Sequence, residues 1–389
     1  MSELVEAGIH PTAAVAGRPR PTVLVVASHT PSLWNFRTEL LRVLVQRGYE
    51  VVGCAPADPT ASARLAPLGV GFVALGPQRT SLNPVDDFAY FWRLSGLFRR
   101  LRPAAIITYT AKPVIWGSLA ARGTRVPRIV AMITGLGFAF SEEAGSSRSK
   151  LAHLVEFLYR LALRGCHAVI FQNPDDQEEF RRRRLLAPGS ESFIVNGSGV
   201  DVERFAPAPL PETPIFLLIA RVLRNKGIVE FCQAARSLRQ RYPAARFRIV
   251  GAFDPNPSAI SPVELSQLCG DGVVEYRGAV EDVRPEIAAA RISVLPSYRE
   301  GTPRTILEAM AMGRPIITTD VPGCRETVQE GINGFLVPAR DPAALATAME
   351  RFLVTPGLAA GMGERGRALA VEKYDAHKVA TAVVVGARL

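Results

Sequence analysis

Two series of short apolar runs, each run separated from the next by helical spacing, dominate this chain. The first comprises Thr22-Val-Leu-Val-Val-Ala27, Tyr49-Glu-Val-Val-Gly53, Gly71-Phe-Val-Ala74, Ala104-Ala-Ile-Ile-Thr108, Arg128-Ile-Val-Ala-Met132, Ala168-Val-Ile-Phe171 and Ser192-Phe-Ile-Val195. Stretches with helical spacing lie at 34–46, 85–101, 113–122 and 149–164. A strand that is apolar at nearly every position is covered on both faces, and such strands joined through helices form a parallel sheet. The predicted class is therefore α/β, with doubly wound sheets. Residues 206–214 (Ala-Pro-Ala-Pro-Leu-Pro-Glu-Thr-Pro) cannot be helix interior or central strand, and they read as a linker. The second series has strands at 215–219, 246–250, 273–276, 291–295, 315–318 and 334–337, and helices at 226–241, 282–290 and 341–354. The expected organisation is a flexible tail 1–20, a first domain 21–205, the linker 206–214, a second domain 215–373 and a C-terminal helix 374–389.

The length of 389 residues suits two domains. Five scattered cysteines without a C-x-x-C pair argue against a zinc ribbon or a disulfide framework, and they fit a reducing compartment. Charge is uneven: residues 1–200 carry 23 Lys+Arg against 15 Asp+Glu, whereas 201–389 carry 23 against 21. A basic first half suits nucleic acid, an anionic membrane or a phosphorylated substrate, but no nucleic-acid motif accompanies it. The opening twenty residues lack an apolar core of the secretory type. The most apolar long stretch, 103–121, is interrupted by Lys112-Pro113, so no span is predicted. The expectation is a cytoplasmic protein, peripheral on the inner face of the cell membrane.

Chemistry concentrates in Pro296-Ser-Tyr-Arg-Glu-Gly-Thr-Pro-Arg-Thr-Ile-Leu-Glu308. It follows an apolar strand and enters a helix, with Thr302 as expected N-cap and Pro303 at the first helical position. Glu300 sits in the loop and Glu308 in the helix. The amides of Arg304, Thr305 and Ile306 would face a crevice, since a helix N-terminus at the carboxyl end of a parallel strand favours phosphate. Ala220-Arg-Val-Leu-Arg-Asn-Lys-Gly227 follows the first strand of the second series. There Arg221 supplies a guanidinium fork and Lys226 a point charge, a combination suited to a diphosphate. Taken alone, the glutamate spacing also arises by chance, and the two cations also read as solvated surface.

The stretch Glu-Gly-Thr-Pro-Arg-Thr-Ile-Leu-Glu-Ala-Met-Ala-Met-Gly-Arg-Pro-Ile-Ile resembles the E-x7-E signature of retaining glycosyltransferase family 4. Thr319-Asp-Val-Pro-Gly-Cys-Arg-Glu326 and Gly331-Ile-Asn-Gly-Phe-Leu-Val-Pro338 are similar to the same family. The resemblance implies the GT-B fold, with two doubly wound domains facing a central cleft and the last helix crossing back to the first domain. It implies a nucleotide-sugar donor, UDP-linked in many members. Arg221 and Lys226 would meet the donor phosphates, and Glu300 the transferred sugar at the reacting centre. Glu308 would accept from the ribose hydroxyls, and the backbone of Val280 would meet the base. No Asp-x-Asp is present, so neither metal nor other cofactor is expected.

Tyr109-Thr-Ala-Lys-Pro-Val-Ile-Trp-Gly-Ser118 and Thr134-Gly-Leu-Gly137 are similar to bacterial transferases that extend sugars on undecaprenyl diphosphate, including N-acetylgalactosaminyltransferases. This implies a polyprenyl-diphosphate-linked sugar as acceptor, with Lys112, Ser28, Thr134 and Gly135 at the acceptor. Lys112 reads equally as a helix-start lysine. The chain departs from the family in carrying Ser28-His-Thr-Pro in place of a Gly-Gly loop, and no histidine in 134–140. His29 reads as a polar loop residue. Two rivals share parts of the pattern: a UDP-N-acetylglucosamine 2-epimerase-like enzyme and a non-catalytic nucleotide-binding protein. The Glu300–Glu308 segment argues against the first, and the full set of Arg221, Lys226, Glu300 and Glu308 against the second. Two basic, partly apolar stretches, 88–102 and 146–160, are expected to meet an anionic leaflet. The face traced on the first is Phe88, Phe91, Trp92, Ser95 and Phe98–Arg99; core-packing helices of a doubly wound domain account equally for most of the apolar surface of both stretches.

Overall fold

The computed structural model describes residues 20–76, 83–135, 146–254, 258–270, 272–355 and 357–389. The expected tail before Arg20, and Leu136 and Gly137 of the Thr134 motif, lie outside the described residues. The chain divides into two units: the part up to Ser198 together with His377–Leu389, and Gly199–Ala376.

In the first unit the strands are β1 (Thr22–Val26), β2 (Glu50–Ala55), β3 (Val70–Ala74), β4 (Ala105–Tyr109), β5 (Arg128–Ile133), β6 (Ala168–Phe171) and β7 (Ser192–Ile194). They pair in parallel in the order β3-β2-β1-β4-β5-β6-β7. Strand β1 shows why its sequence has no polar alternation. Val23 and Val25 pack with Leu40, Leu44, Val379 and Val383 on one face, while Leu24 and Val26 pack with Tyr90, Leu94 and Phe98 on the other. Each such burial contributes about 1.5–3 kcal/mol.

The second unit holds β8 (Ile215–Ile219), β9 (Arg246–Val250), β10 (Val274–Tyr276), β11 (Ile292–Leu295), β12 (Ile316–Thr319) and β13 (Gly334–Val337). These are again all parallel, in the order β10-β9-β8-β11-β12-β13. Both units are doubly wound α/β, as the apolar runs predict. Strand order reverses between β1 and β4 in one sheet and between β8 and β11 in the other. The carboxyl ends at such a switch point are where open α/β sheets bind ligands.

The structure differs from the sequence reading in several places. Helix 34–46 is two helices, Pro31–Phe36 and Thr38–Gln46. Arg37 lies between them, buried, with its guanidinium 4.8 Å from the centre of the Tyr109 ring. Helices Pro174–Arg182, Pro262–Cys269 and Leu358–Lys373 have no counterpart in that reading. The proline-rich stretch 206–214 lies within the second unit, after the change of unit at Ser198. Its prolines lack amide donors but keep their carbonyls, and fully buried Arg314 donates to Ala208 O at 2.7 Å and Pro209 O at 2.9 Å. Finally, the face expected on helix Pro84–Leu101 is split. Ser95 and Phe98 are buried, Phe98 against Leu24 and Val26 of β1, whereas Phe88 and Trp92 are exposed. Among the described residues no helix is long and apolar enough to cross a membrane.

Candidate active site

At the switch point of the second unit, β8 leads through Arg221 and the turn Arg224–Lys226 into helix Ile228–Arg239. Strand β11 leads through residues 296–303 into helix Arg304–Ala311. The two loops are joined: Tyr298 N donates to Asn225 O at 2.9 Å, and Ser297 Oγ to the same oxygen at 3.1 Å. Gly227 makes this approach possible. Its φ is +72°, and a Cβ there would collide with the Pro296 carbonyl. The Lys226 ammonium reaches Glu300 Oε1 at 2.5 Å, with side chains only 15% and 16% exposed. A third loop, after β12, fixes the Glu300 backbone: Glu300 N donates to Pro322 O at 3.1 Å, and a Cβ on Gly323 would strike the Glu300 carbonyl.

One helical turn further on, Arg304 Nε donates to Glu308 Oε1 at 2.8 Å. Glu308 is buried, and burial raises its carboxyl pKa above the ordinary range, although Arg304 and Arg204 pull the other way. Asp282 is close enough to Glu308 to raise it further. Val280, half-buried in the loop after β10, packs against the core cluster that contains Leu307, the neighbour of Glu308.

Two expectations are corrected. Helix Arg304–Ala311 is capped by Pro303, with ψ 107°, rather than by Thr302. A residue before proline is pushed towards extended backbone, and the Thr302 hydroxyl donates to Gly301 O at 3.0 Å. The Ile306 amide donates to Pro303 O at 3.1 Å, so it closes the first turn instead of facing outward. Arg304 and Thr305 are left as the amides ahead of the helical ladder. The Arg221 guanidinium holds Asp254 at 2.7 Å.

Sequence reasoning missed Asp254 and also Tyr298, whose hydroxyl donates to Glu230 Oε1 at 2.7 Å under the Arg340 guanidinium. Burial, with the Glu230 carboxylate, pushes that hydroxyl's pKa up. Among the described residues no cluster of three His, Cys, Asp or Glu side chains suited to a metal ion occurs.

In the first unit, Ser28 follows β1 and Thr110 follows β4, on either side of the switch point, and their hydroxyls meet at 2.7 Å. Thr110 has φ +68°. Thr134 and Gly135 follow β5, and Gly135 has φ +130°. Lys112 is paired with Asp87 of helix Pro84–Leu101 at 2.6 Å, so it does not stand as a bare cation.

Two parallel, doubly wound α/β units, each with polar residues at its switch point, define the GT-B class. Family models match both: "Glycosyl transferases group 1" over residues 213–355 and "Glycosyl transferase 4-like domain" over 33–197. The chain belongs to the group 1 glycosyltransferases, and it is a glycosyltransferase. It is 28% identical over 363 residues to N,N'-diacetylbacillosaminyl-diphospho-undecaprenol alpha-1,3-N-acetylgalactosaminyltransferase of Campylobacter jejuni, covering 90% of this chain and 93% of that protein. It is 30% identical over 318 residues to EpsD of Bacillus subtilis, provisionally named a glycosyltransferase, covering 78% and 81%. A third relative, at 26% over 298 residues and covering 70% and 72%, is UDP-Gal:alpha-D-GlcNAc-diphosphoundecaprenol alpha-1,3-galactosyltransferase of Escherichia coli. Among solved structures, sucrose-phosphate synthase of Thermosynechococcus elongatus shares the fold with TM-score 0.77 at 21% identity, covering 95% and 98% of the two chains. Anabaena HepE in complex with UDP and glucose does so with TM-score 0.75 at 17% identity, covering 94% and 99%.

Proposed function

We propose that the protein is a retaining, metal-independent transferase that moves a sugar from a UDP-linked donor to a sugar on a polyprenyl diphosphate. The observation that carries the donor half is the Lys226–Glu300 pair beside the helix that begins at Arg304. Breaking a nucleotide-sugar bond leaves negative charge on the terminal phosphate of the departing nucleotide. Lys226, Arg221 and the amides of Arg304 and Thr305 would receive that charge. The two cations are already held by Glu300 and Asp254, so little reorganisation accompanies the reaction. Glu300 would then lie at the transferred sugar; no nucleophilic role is assigned to it. Glu308, kept as an acceptor by Arg304, would take the ribose hydroxyls, with the Val280 backbone towards the base.

The acceptor half rests on two relatives named for sugars on diphospho-undecaprenol. Ser28, Thr134 and Gly135 would face the acceptor, and Lys112 would exchange Asp87 for its diphosphate. A lipid-borne acceptor brings the enzyme to a membrane surface, on the cytoplasmic side where nucleotide-sugars are made. The exposed Val85, Phe88 and Trp92 of helix Pro84–Leu101 suit that contact. A panel of nucleotide-sugars, incubated with a polyprenyl-diphosphate sugar in chelator, tests the reading. Transfer from a UDP-linked donor is expected. Strict dependence on an added divalent cation would remove the metal-independent claim, and transfer from other nucleotides alone would remove the uridine claim.

A further inference from the structure

A second basic site lies in the first unit, at the amino edge of its sheet, away from the carboxyl ends that carry Ser28 and Thr134. It is a recess of about 830 Å³ lined by Arg160, Arg164, Arg181, Arg184, Ser190 and Ser192. Ser192 is the first residue of β7, and the arginines follow or end helices Ser146–Leu163 and Pro174–Arg182. Arg160 is spent on the carbonyls of Arg183 and Arg184, at 3.2 and 3.0 Å. Among the described residues Arg181 pairs with Glu178 alone, at 3.9 Å. Among the described residues the side chains of Arg164 and Arg184 make no ion pair or hydrogen bond. The nearby carboxylates are directed elsewhere: Glu156 and Glu179 hold Arg183, Glu179 also holds Arg182, and Glu191 holds Arg388. Of these guanidinium groups only Arg181 has a carboxylate among the described residues, at the long distance of 3.9 Å, so the cluster carries excess positive charge that an anion with several acceptor oxygens relieves.

The same helix shows what carries the anion. At 100° per residue, Leu154, Phe157, Leu161, Arg160 and the following Arg164 fall within about 120° of one face. Leu154, Phe157 and Leu161 are all exposed. An apolar stripe directly bordered by arginines matches a lipid surface, with acyl chains against the stripe and headgroup phosphate against the arginines.

We propose that this recess seats the headgroup phosphate of an anionic phospholipid while the Leu154–Phe157–Leu161 stripe enters the membrane interface beside it. This rests on the reading above that the acceptor is lipid-borne, and it adds a specific headgroup site apart from the transfer site.

The test is sedimentation with vesicles of phosphatidylcholine alone or mixed with phosphatidylglycerol. The variants are Arg164→Gln/Arg184→Asn and, as a charge-matched control away from both basic stretches, Arg42→Gln/Arg47→Gln. Asparagine tolerates the φ of +54° at Arg184, so the fold should persist. Basic residues at an anionic leaflet act at a level that makes loss of two worth about 30-fold in vesicle affinity. The recess variant should lose that much on phosphatidylglycerol, and the control clearly less. Phe157→Gln should weaken vesicle binding with no change in charge. Equal losses in the two double variants would overturn the proposal, as would no loss in the recess variant. Binding of inorganic phosphate without binding to either vesicle would also overturn it. Transfer to a short, water-soluble diphosphate acceptor should be unchanged in the recess variant. If the wild type fails in that transfer assay, the function reading fails while the vesicle result still decides the recess.

Discussion

Replacing Lys226 with Met separates what its pair with Glu300 does for the fold from what Lys226 does for transfer. At the observed 2.5 Å, the attraction of a unit pair is about 1.7 kcal/mol in the dielectric of water and about 6.6 kcal/mol at an effective dielectric of 20. Exposures of 15% and 16% put this pair between those limits, and part of the attraction only offsets desolvation. Lys226→Met leaves Glu300 charged without its cation, which should lower stability by about 1–3 kcal/mol. Adding Glu300→Gln removes the stranded charge and should restore most of that stability. Transfer should not follow. Loss of one stabiliser of the leaving diphosphate typically lowers the rate by ~10²–10³, and the double variant should be no faster. Urea unfolding and single-turnover transfer at saturating donor, measured on both variants and on Glu300→Gln, give the two quantities. A folded Lys226→Met enzyme with near wild-type rate would refute the electrostatic role. So would a rate that recovers with stability in the double variant.

Three further predictions concern neighbouring features. Glu308→Gln should weaken UDP binding in calorimetry without lowering the melting temperature. The Glu308 carboxyl has a higher pKa folded than unfolded, so the folded chain holds the extra proton between the two values. Its contribution to stability therefore falls as pH rises through that window, and glutamine removes the effect; UDP affinity in the wild type should fall in acid starting above the ordinary glutamate range. Gly227→Ala places a side chain at φ +72° against the Pro296 carbonyl; thermal melts should show a loss of about 1–3 kcal/mol, with slower transfer because the Lys226 and Glu300 loops are forced apart. Arg314, its pKa drawn down to about 10 by burial, donates to the carbonyls of Ala208, Pro209, Ile287, Ala288 and Met312; Arg314→Met should destabilise the second unit by about 3–5 kcal/mol in urea unfolding.

What the sequence discloses here is what is local. The strands are legible because each is covered on both faces, so its apolar run needs no partner to be recognised. Lys226, Glu300 and Glu308 stand out in the sequence through the motif resemblance of their segments, since their spacing alone also arises by chance. Pairs made across the chain leave no local trace: Arg221 meets Asp254, Tyr298 meets Glu230, and Arg314 meets carbonyls of the proline-rich stretch. That stretch reads as a linker because prolines exclude regular structure, while the arginine that fixes it lies far along the chain. The helix start slipped by one residue because Thr302, Pro303 and Arg304 each suit a first turn, and the backbone of Pro303 decides among them. On helix Pro84–Leu101 apolar residues occur on more than one side, so periodicity alone did not separate buried Tyr90, Leu94 and Phe98 from exposed Phe88 and Trp92.

The central claim is transfer with retention from a UDP-sugar to a sugar on a lipid diphosphate. The most direct measurement is mass spectrometry and proton NMR of the lipid product formed from an α-linked UDP-sugar in chelator. The account predicts a lipid acceptor heavier by one sugar residue, joined through an α linkage. Inverted β product, free sugar released to water, or an epimerised UDP-sugar with the lipid unchanged would contradict it.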